Sequence, residues 1–217
     1  MPNRREAIKF YISVEGNTEE LYCRHLQSLV NNSQIPLFNL SLTIAQSKSP
    51  RKFIKNKLFI CAQAFHIFDY DNDDNLFKAT LKEISDINDG YKDKVIYKSG
   101  YSNISFDLWI LLHKTKFASH IFNCNQYLPL INKAYNAYFE SMDKYKQEEK
   151  FKKQILSKIT LDDVFQAIKN ANEIREQNKK TNKKSAQYYG QKYYLDNPDL
   201  TVHECIEEML RECVTEK

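Results

Sequence analysis

The sequence predicts an α/β fold, a mostly parallel sheet flanked by helices, followed by a helical C-terminal part. Three observations predict it. Between residues 8 and 117, short β-branched or aromatic runs alternate with stretches of helical periodicity. The acidic residues Glu15 and Asp69 fall where two of those runs stop. From about residue 125 the strand-like runs give way to long polar-apolar stretches of helical spacing.

The elements follow in order. "IKFYISVEG" (8–16) is β-branched and aromatic and stops at Gly16, which reads as a strand. "NTEELYCRHLQSLV" continues as a helix, with Asn17 and Glu20 spaced as a capping box and Leu21, Tyr22, His25, Leu26 and Leu29 on one face. "LSLTIAQ" (40–46) is a strand; "SPRKFIKNKLFICAQ" (49–63) starts as a helix with Ser49 as cap and Pro50 in the first turn. "AFHIFDYD" (64–71) is a strand, "NLFKATLKEI" (75–84) a helix, and "KVIYKS" (94–99) a strand ending at Gly100. "SFDLWILLHKTKF" (105–117) is helical, with Phe106, Trp109, Ile110, His113 and Phe117 on one face. Residues 126–159 and 161–179 read as helices, 178–187 as an exposed basic loop, and "NPDLTVHECIEEMLREC" as a closing amphipathic helix. The expected organisation is a sheet domain over 1–120 and a basic helical region over 121–217 packed on it. Right-handed β-α-β units put functional sites at the carboxyl edge of the sheet.

Composition narrows the class. Hydrophobic residues make up 42% of 217, enough for a core, and 4 Gly with 5 Pro exclude a collagen-like or linker-like chain. No apolar stretch approaches the ~20 residues of a membrane helix, and the N-terminus reaches a glutamate too soon for a signal peptide. A soluble, cytoplasmic protein without a membrane partner is expected. Five scattered cysteines with no Cys-x-x-Cys argue against a disulfide framework and a zinc ribbon, and predict buried thiols. Charge is uneven: residues 144–192 hold 13 Lys+Arg against 6 Asp+Glu, and residues 193–217 hold 2 against 7. A basic segment of that kind suits a polyanion or a solvated helical surface.

"HIFDYDNDD" (66–74) packs Asp69, Asp71, Asp73 and Asp74 into six positions. A calcium loop fails, because its turn glycine is Asp74 and its bidentate glutamate is Thr80. An aspartate-nucleophile phosphatase would want Thr or Val where Asp73 stands, and would carry its motif on the first strand. A magnesium site uses more of the chain. Glu15 and the Asp-x-Asp of Asp69 and Asp71 would converge on one cleft if their strands are neighbours, Asp69 and Asp71 sharing a face if the extension persists. Asp73 and Asp74 read as a solvated loop.

That arrangement resembles the Toprim domain: "SVEGNTEELY" is similar to its E-G-x-T-E opening and "IFDYD" to its second acidic motif. "SNISFDLWILLHK" (102–114) resembles the S-N-P-x-F-E-L-W-L-L-L-H-F block of the RloB-like family, and "AIKNANEIRE" and "NPDLTVHECIEEML" resemble its later helical segments. The likeness spans roughly residues 8–212. It implies a Toprim-like, metal-dependent nuclease of bacterial phage defence, acting on DNA or RNA (tRNA included), using Mg²⁺ or Mn²⁺, and often encoded beside an AAA-type ATPase. By that likeness Glu15 takes the first acidic position, Glu19 the second glutamate, and Asp69 and Asp71 the Asp-x-Asp. Ile104 stands where the family has Pro, and Asp107 where it has Glu.

The catalytic candidates are therefore Glu15, Asp107 and His113, and the metal candidates Glu15, Glu19, Asp69 and Asp71. For His113, on an apolar face with Trp109, a hydrogen-bonded core histidine is the rival reading. Lys98, Ser102 and Asn103, with Lys179, Lys180, Lys183 and Lys184, are the nucleic-acid candidates. Tyr188, Tyr189, Tyr193 and Tyr194 could stack bases or simply pack. A homo-oligomer and an ATPase partner are open expectations. A regulatory subunit of that ATPase, with little activity alone, is the rival class.

Overall fold

A computed structural model describes residues 5–214 except 56, 58, 72 and 93; residues 1–4 and 215–217 of the two expected regions lie outside the described residues. The chain runs β1 (Ala7–Val14), α1 (Asn17–Asn32), β2 (Asn39–Gln46), α2 (Pro50–Ile54), β3 (Ala62–Asp69), α3 (Asp74–Tyr91), β4 (Val95–Asn103) and α4 (Asp107–Leu112). It continues through α5 (Tyr127–Tyr135), α6 (Met142–Tyr145), α7 (Glu148–Gln154) and α8 (Leu161–Lys180). A hairpin of β5 (Ser185–Tyr188) and β6 (Gln191–Tyr194), then β7 (Asp199–Leu200) and α9 (Val202–Val214), completes the described chain.

The main sheet has the order β2-β1-β3-β4-β7, with β1 to β4 parallel and β7 antiparallel at the edge. β1 and β3 are direct neighbours, Val14 opposite Ile67, so their carboxyl ends meet. Alternation along the strands feeds two faces. On one, Phe10, Ile12, Val14, Phe65 and Ile67 pack with α1, α4, α5, α8 and α9. On the other, α2 and α3 cover Ala64, Val95 and Tyr97, and Phe68, Tyr101 and Tyr193 pack around Phe77. The first of these cores joins Phe10 and Trp109 to Ile131, Ala171 and Met209, so side chains from both sides of residue 120 share one interior.

Several boundaries differ from the sequence reading, each for a local reason. α1 is capped by Gly16 and not by an Asn17–Glu20 box, because the Glu20 carboxylate is engaged by Arg24 and Gln46. The helix expected over 49–63 stops at Ile54, although Ser49 caps it as read, accepting from the Lys52 amide. α3 begins one residue before the expected start and runs to Tyr91; Asp73 caps it, accepting from the Leu76 amide at 3.0 Å, so this aspartate is a cap. β4 does not end at Gly100 but continues to Asn103. Gly100 marks where α9 crosses the sheet: a Cβ there would lie 2.8 Å from Cys205 Sγ and 3.3 Å from Val202 Cα. α4 is only six residues long, and the run 126–159 divides into three short helices. In the basic stretch 178–187 only 181–184 form a turn: 178–180 end α8 and 185–187 begin β5, which continues through a two-residue hairpin turn at Tyr189 and Gly190, both at positive φ. Of the cysteines, Cys23, Cys205 and Cys213 are buried as expected, whereas Cys61 is exposed and Cys124 half-buried. Among the described residues no helix is long and apolar enough to cross a membrane.

β7 is held to the sheet by charge. Arg175 of α8 donates to the fully buried Asp199 carboxylate at 3.0 Å, and Tyr101 and the Tyr194 amide donate to the same carboxylate. This network locks the C-terminal segment against the carboxyl end of β4.

Candidate active site

The carboxyl edge of the sheet gathers five acidic side chains. Glu15 follows β1, and its Oε2 accepts a hydrogen bond from the Asp69 amide at 3.2 Å. Asp69 ends β3 opposite Ser102 of β4. Asp71 follows in a left-handed turn at φ 48°, so the extension that would align it with Asp69 does not persist; the turn itself brings its carboxylate back toward Glu15 and Asp69. Tyr70 between them is turned into the aromatic cluster of Phe77 and Tyr193. Glu19 lies in the first turn of α1, only 7% exposed, where the helix dipole favours its charge. Gly16 leaves it room, since an added Cβ would stand 2.9 Å from Glu19 Oε2. Asp107 opens α4, 3% exposed, and accepts from the Ser105 hydroxyl at 2.9 Å.

Burial and mutual repulsion set the electrostatics. Asp69 is driven well above the usual carboxylate range, by burial first and then by Glu19, Asp71, Asp107 and Glu15. Glu19 is pushed up to about 7 by burial, with Asp107 and Glu15 adding to it. Glu15 is raised by burial, partly offset by the Asp69 amide. Burial also raises Asp107 and Asp71. Two cations pull the other way: Lys146 acts on Glu19, Asp71 and Asp107, and Lys48 on Glu15 and Asp71.

Some of the buried polar atoms without a hydrogen-bond partner lie in the same place. Asp69 Oδ1, Ser102 Oγ and Asn103 Oδ1 belong to the edge itself. The Tyr127 hydroxyl, from the helical part, is close enough to feel the charge of Asp107, and the Tyr145 hydroxyl lies toward Asp107, the carboxylate it would donate to. Hard carboxylate oxygens that repel one another, one of them unpartnered and out of water, are the donor chemistry of a divalent-cation site. Among the described residues no three His, Cys, Asp or Glu side chains are already closed into metal-ligating geometry. The five carboxylates are hard oxygen donors of the kind that Mg²⁺ or Mn²⁺ takes, but they are not gathered at ligating distance.

The other sequence candidates are placed differently. His113 sits in the core, its Nε2 paired with the Tyr22 hydroxyl at 3.0 Å and its Nδ1 with the Trp109 carbonyl at 2.8 Å. Burial lowers its pKa to about 4. With both ring nitrogens occupied it is a structural residue, and the catalytic expectation is corrected. Lys98 lies four residues before Ser102, the β4 residue opposite Asp69, on the order of 13 Å away along the strand. It is bound to Glu208 at 2.7 Å and does not face the cleft. Ser102 and Asn103 end β4, and the Asn103 amide group donates to the Tyr194 carbonyl. Asp74 pairs with Lys78 and accepts from the Tyr193 hydroxyl. Lys179 and Lys180 close α8, where positive charge suits the helix end. Lys183 donates to the Asn197 carbonyl at 2.9 Å, and Lys184 is exposed in the turn to β5. Tyr193 and Tyr194 are buried and pack, while Tyr189 is exposed. The sequence reading missed Lys48, Lys146, Tyr127 and Tyr145; no local pattern marks them, because they meet the carboxylates only through the fold.

The family described as RloB-like protein matches residues 10–209. No curated protein and no solved structure matches this chain.

Proposed function

The chain belongs to the RloB-like family, and on that premise we propose that it is a metal-dependent nuclease of Toprim type, hydrolysing phosphodiester bonds of DNA or RNA in bacterial defence against phage. The observation that carries this reading is the bond from the Asp69 amide to the Glu15 carboxylate. It supports the convergence of acids from two parallel strands that such a site requires.

Glu15, Asp69 and Asp71 would hold Mg²⁺ or Mn²⁺, with Glu19 behind them. A bound divalent cation supplies polarisation of the phosphoryl oxygens and a lowered pKa for water. Glu15, half-buried and raised above its ordinary range, takes a proton from the attacking water as that oxygen forms its bond to phosphorus. The bond to the leaving sugar oxygen breaks, and that oxygen gains a proton from solvent. Asp107, fixed by Ser105, biases its neighbour Glu19 toward the protonated form. It also keeps negative charge at the inner wall.

Supercoiled plasmid and bulk tRNA, each incubated with the protein and Mg²⁺ or Mn²⁺, provide the test. One of them should be cut, and Glu15→Ala and Asp69→Asn should each lower the rate by about 100-fold or more. A wild-type protein that leaves both intact in either metal overturns the reading. The second reading is a subunit regulated by an AAA-type ATPase, to which the groove lined by Ile35, Phe165, Ile168, Leu210 and Val214 would offer an apolar docking face. Silence toward both nucleic acids with tight binding to such an ATPase would select it.

A further inference from the structure

The basic segment 144–192 is less available than its charge count suggests. Lys152 is paired with Glu148, Lys158 donates to the Tyr135 and Asn136 carbonyls, and Arg175 is committed to Asp199. Lys183 holds Asn197, and Lys192 lies over the Tyr194 ring. Lys146 is different. It is exposed and directly follows Tyr145, which is fully buried, packed edge-on against Phe139 and Phe151, with its hydroxyl toward Asp107. Burying Tyr145 therefore fixes the backbone of Lys146 at the wall of the acidic site.

Lys48 stands beside the end of β1, where its charge acts on Glu15 and Asp71. It too is exposed, in the turn after β2. The Ser47 amide donates to the Val14 carbonyl at 2.8 Å, which ties this turn to the last residue of β1, next to Glu15. Neither side chain makes an ion pair within the described residues. Asp71, exposed, is the one of the five carboxylates on which the charges of both lysines act. Two unpaired ammonium groups flanking an acidic site are poorly explained as partners for those acids, since neither closes to ion-pair distance. They suit an anionic ligand that must approach carboxylates.

We infer that Lys48 and Lys146 form a two-sided clamp for the phosphodiester backbone, laying it across the carboxyl edge of the sheet over Asp71. The inference rests on the nuclease reading and refines it: the nucleic-acid path crosses the β2 turn and the α6–α7 junction. Each lysine contributes one phosphate contact, and each contact releases counterions on binding.

Binding to a short DNA duplex and to a short RNA hairpin, measured by fluorescence anisotropy across a salt series in an Asp69→Asn background, provides the test. Lys48→Ala and Lys146→Ala should each reduce the slope of log K against log salt by about 0.7 to 0.9 and weaken affinity about 8-fold near 0.1 M salt. Arg in either place should retain most of the slope. Lys9→Ala, at the opposite end of β1 with its ammonium over Tyr11, should leave the slope unchanged. The duplex and hairpin arms report which backbone is gripped. Unchanged slopes for both lysine variants, while Glu15→Ala still abolishes cleavage, would reject the clamp and keep the nuclease. If wild-type protein neither binds nor cuts either probe, the nuclease reading fails and the clamp with it.

Discussion

Glu19 stands 7% exposed in the first turn of α1, facing Asp107 and Glu15. Its pKa is pushed up to about 7 from an ordinary 4.5. A carboxyl raised on folding binds more protons in the native state than in the unfolded one, so stability falls as pH rises between the two values. The metal-free protein should therefore lose about 3 kcal/mol between pH 4.5 and pH 7 from this group, and stay at the lower stability above pH 7. Urea denaturation at pH 5 and pH 8 measures the loss. Glu19→Gln should reduce it, the remainder belonging to the other raised carboxyls, and Mn²⁺ should raise Tm more at pH 8 than at pH 5, because the ionised acids are what it stabilises. Equal Tm shifts at both pH values would count against these acids as the binding site. At this scale the sequence was informative where a residue's role follows from its place on a strand. Glu15 and Asp69 were legible because strand ends in a parallel sheet share one edge. His113 was not, because only the partners of its two nitrogens separate a core histidine from a base.

Helices and strands meet at glycines whose side-chain space is already taken. Gly16→Ala would press on Glu19 Oε2 at 2.9 Å. That oxygen ends a side chain which can turn, so the expected outcome is a small change in stability with an altered metal affinity, read by calorimetry with Mn²⁺. Gly100→Ala meets the Cys205 sulfur at 2.8 Å and the Val202 backbone at 3.3 Å, which can yield only if α9 shifts. It should cost about 1–3 kcal/mol in urea unfolding. The Arg175–Asp199 pair gives the largest effect expected of a single element contact. Arg175→Ala strands a fully buried carboxylate and should destabilise by about 3–5 kcal/mol. Adding Asp199→Asn should restore part of that. The order of strands and helices over the first half was readable from periodicity, yet α2 and α4 were overestimated because apolar spacing continues past the last helical residues, Ile54 and Leu112. The β5–β6 hairpin escaped notice because its turn places Tyr189, and not a usual Asn or Asp, at positive φ.

Across the whole molecule, the C-terminal part is built into the sheet and its core. β7 pairs with β4, and Leu200, Val202, Ile206 and Met209 join the cluster that contains Phe10 and Trp109. A fragment of residues 1–120 should therefore lack a cooperative unfolding transition and bind a hydrophobic dye, by circular dichroism and fluorescence, since it would expose the Trp109 face of the sheet. A sharp transition in that fragment would show the first half to be self-sufficient. The sequence by itself determined the α/β class, the family and the two strand-end acids, because each follows from short-range periodicity or from a contiguous motif. Only the tertiary structure decided that Asp71 reaches the site through a left-handed turn, that Lys98 faces Glu208, and that Lys48 and Lys146 flank the acids. The reason is physical: charge acts through space over several ångströms, and residues 48, 71, 107 and 146 become neighbours only after the chain has folded.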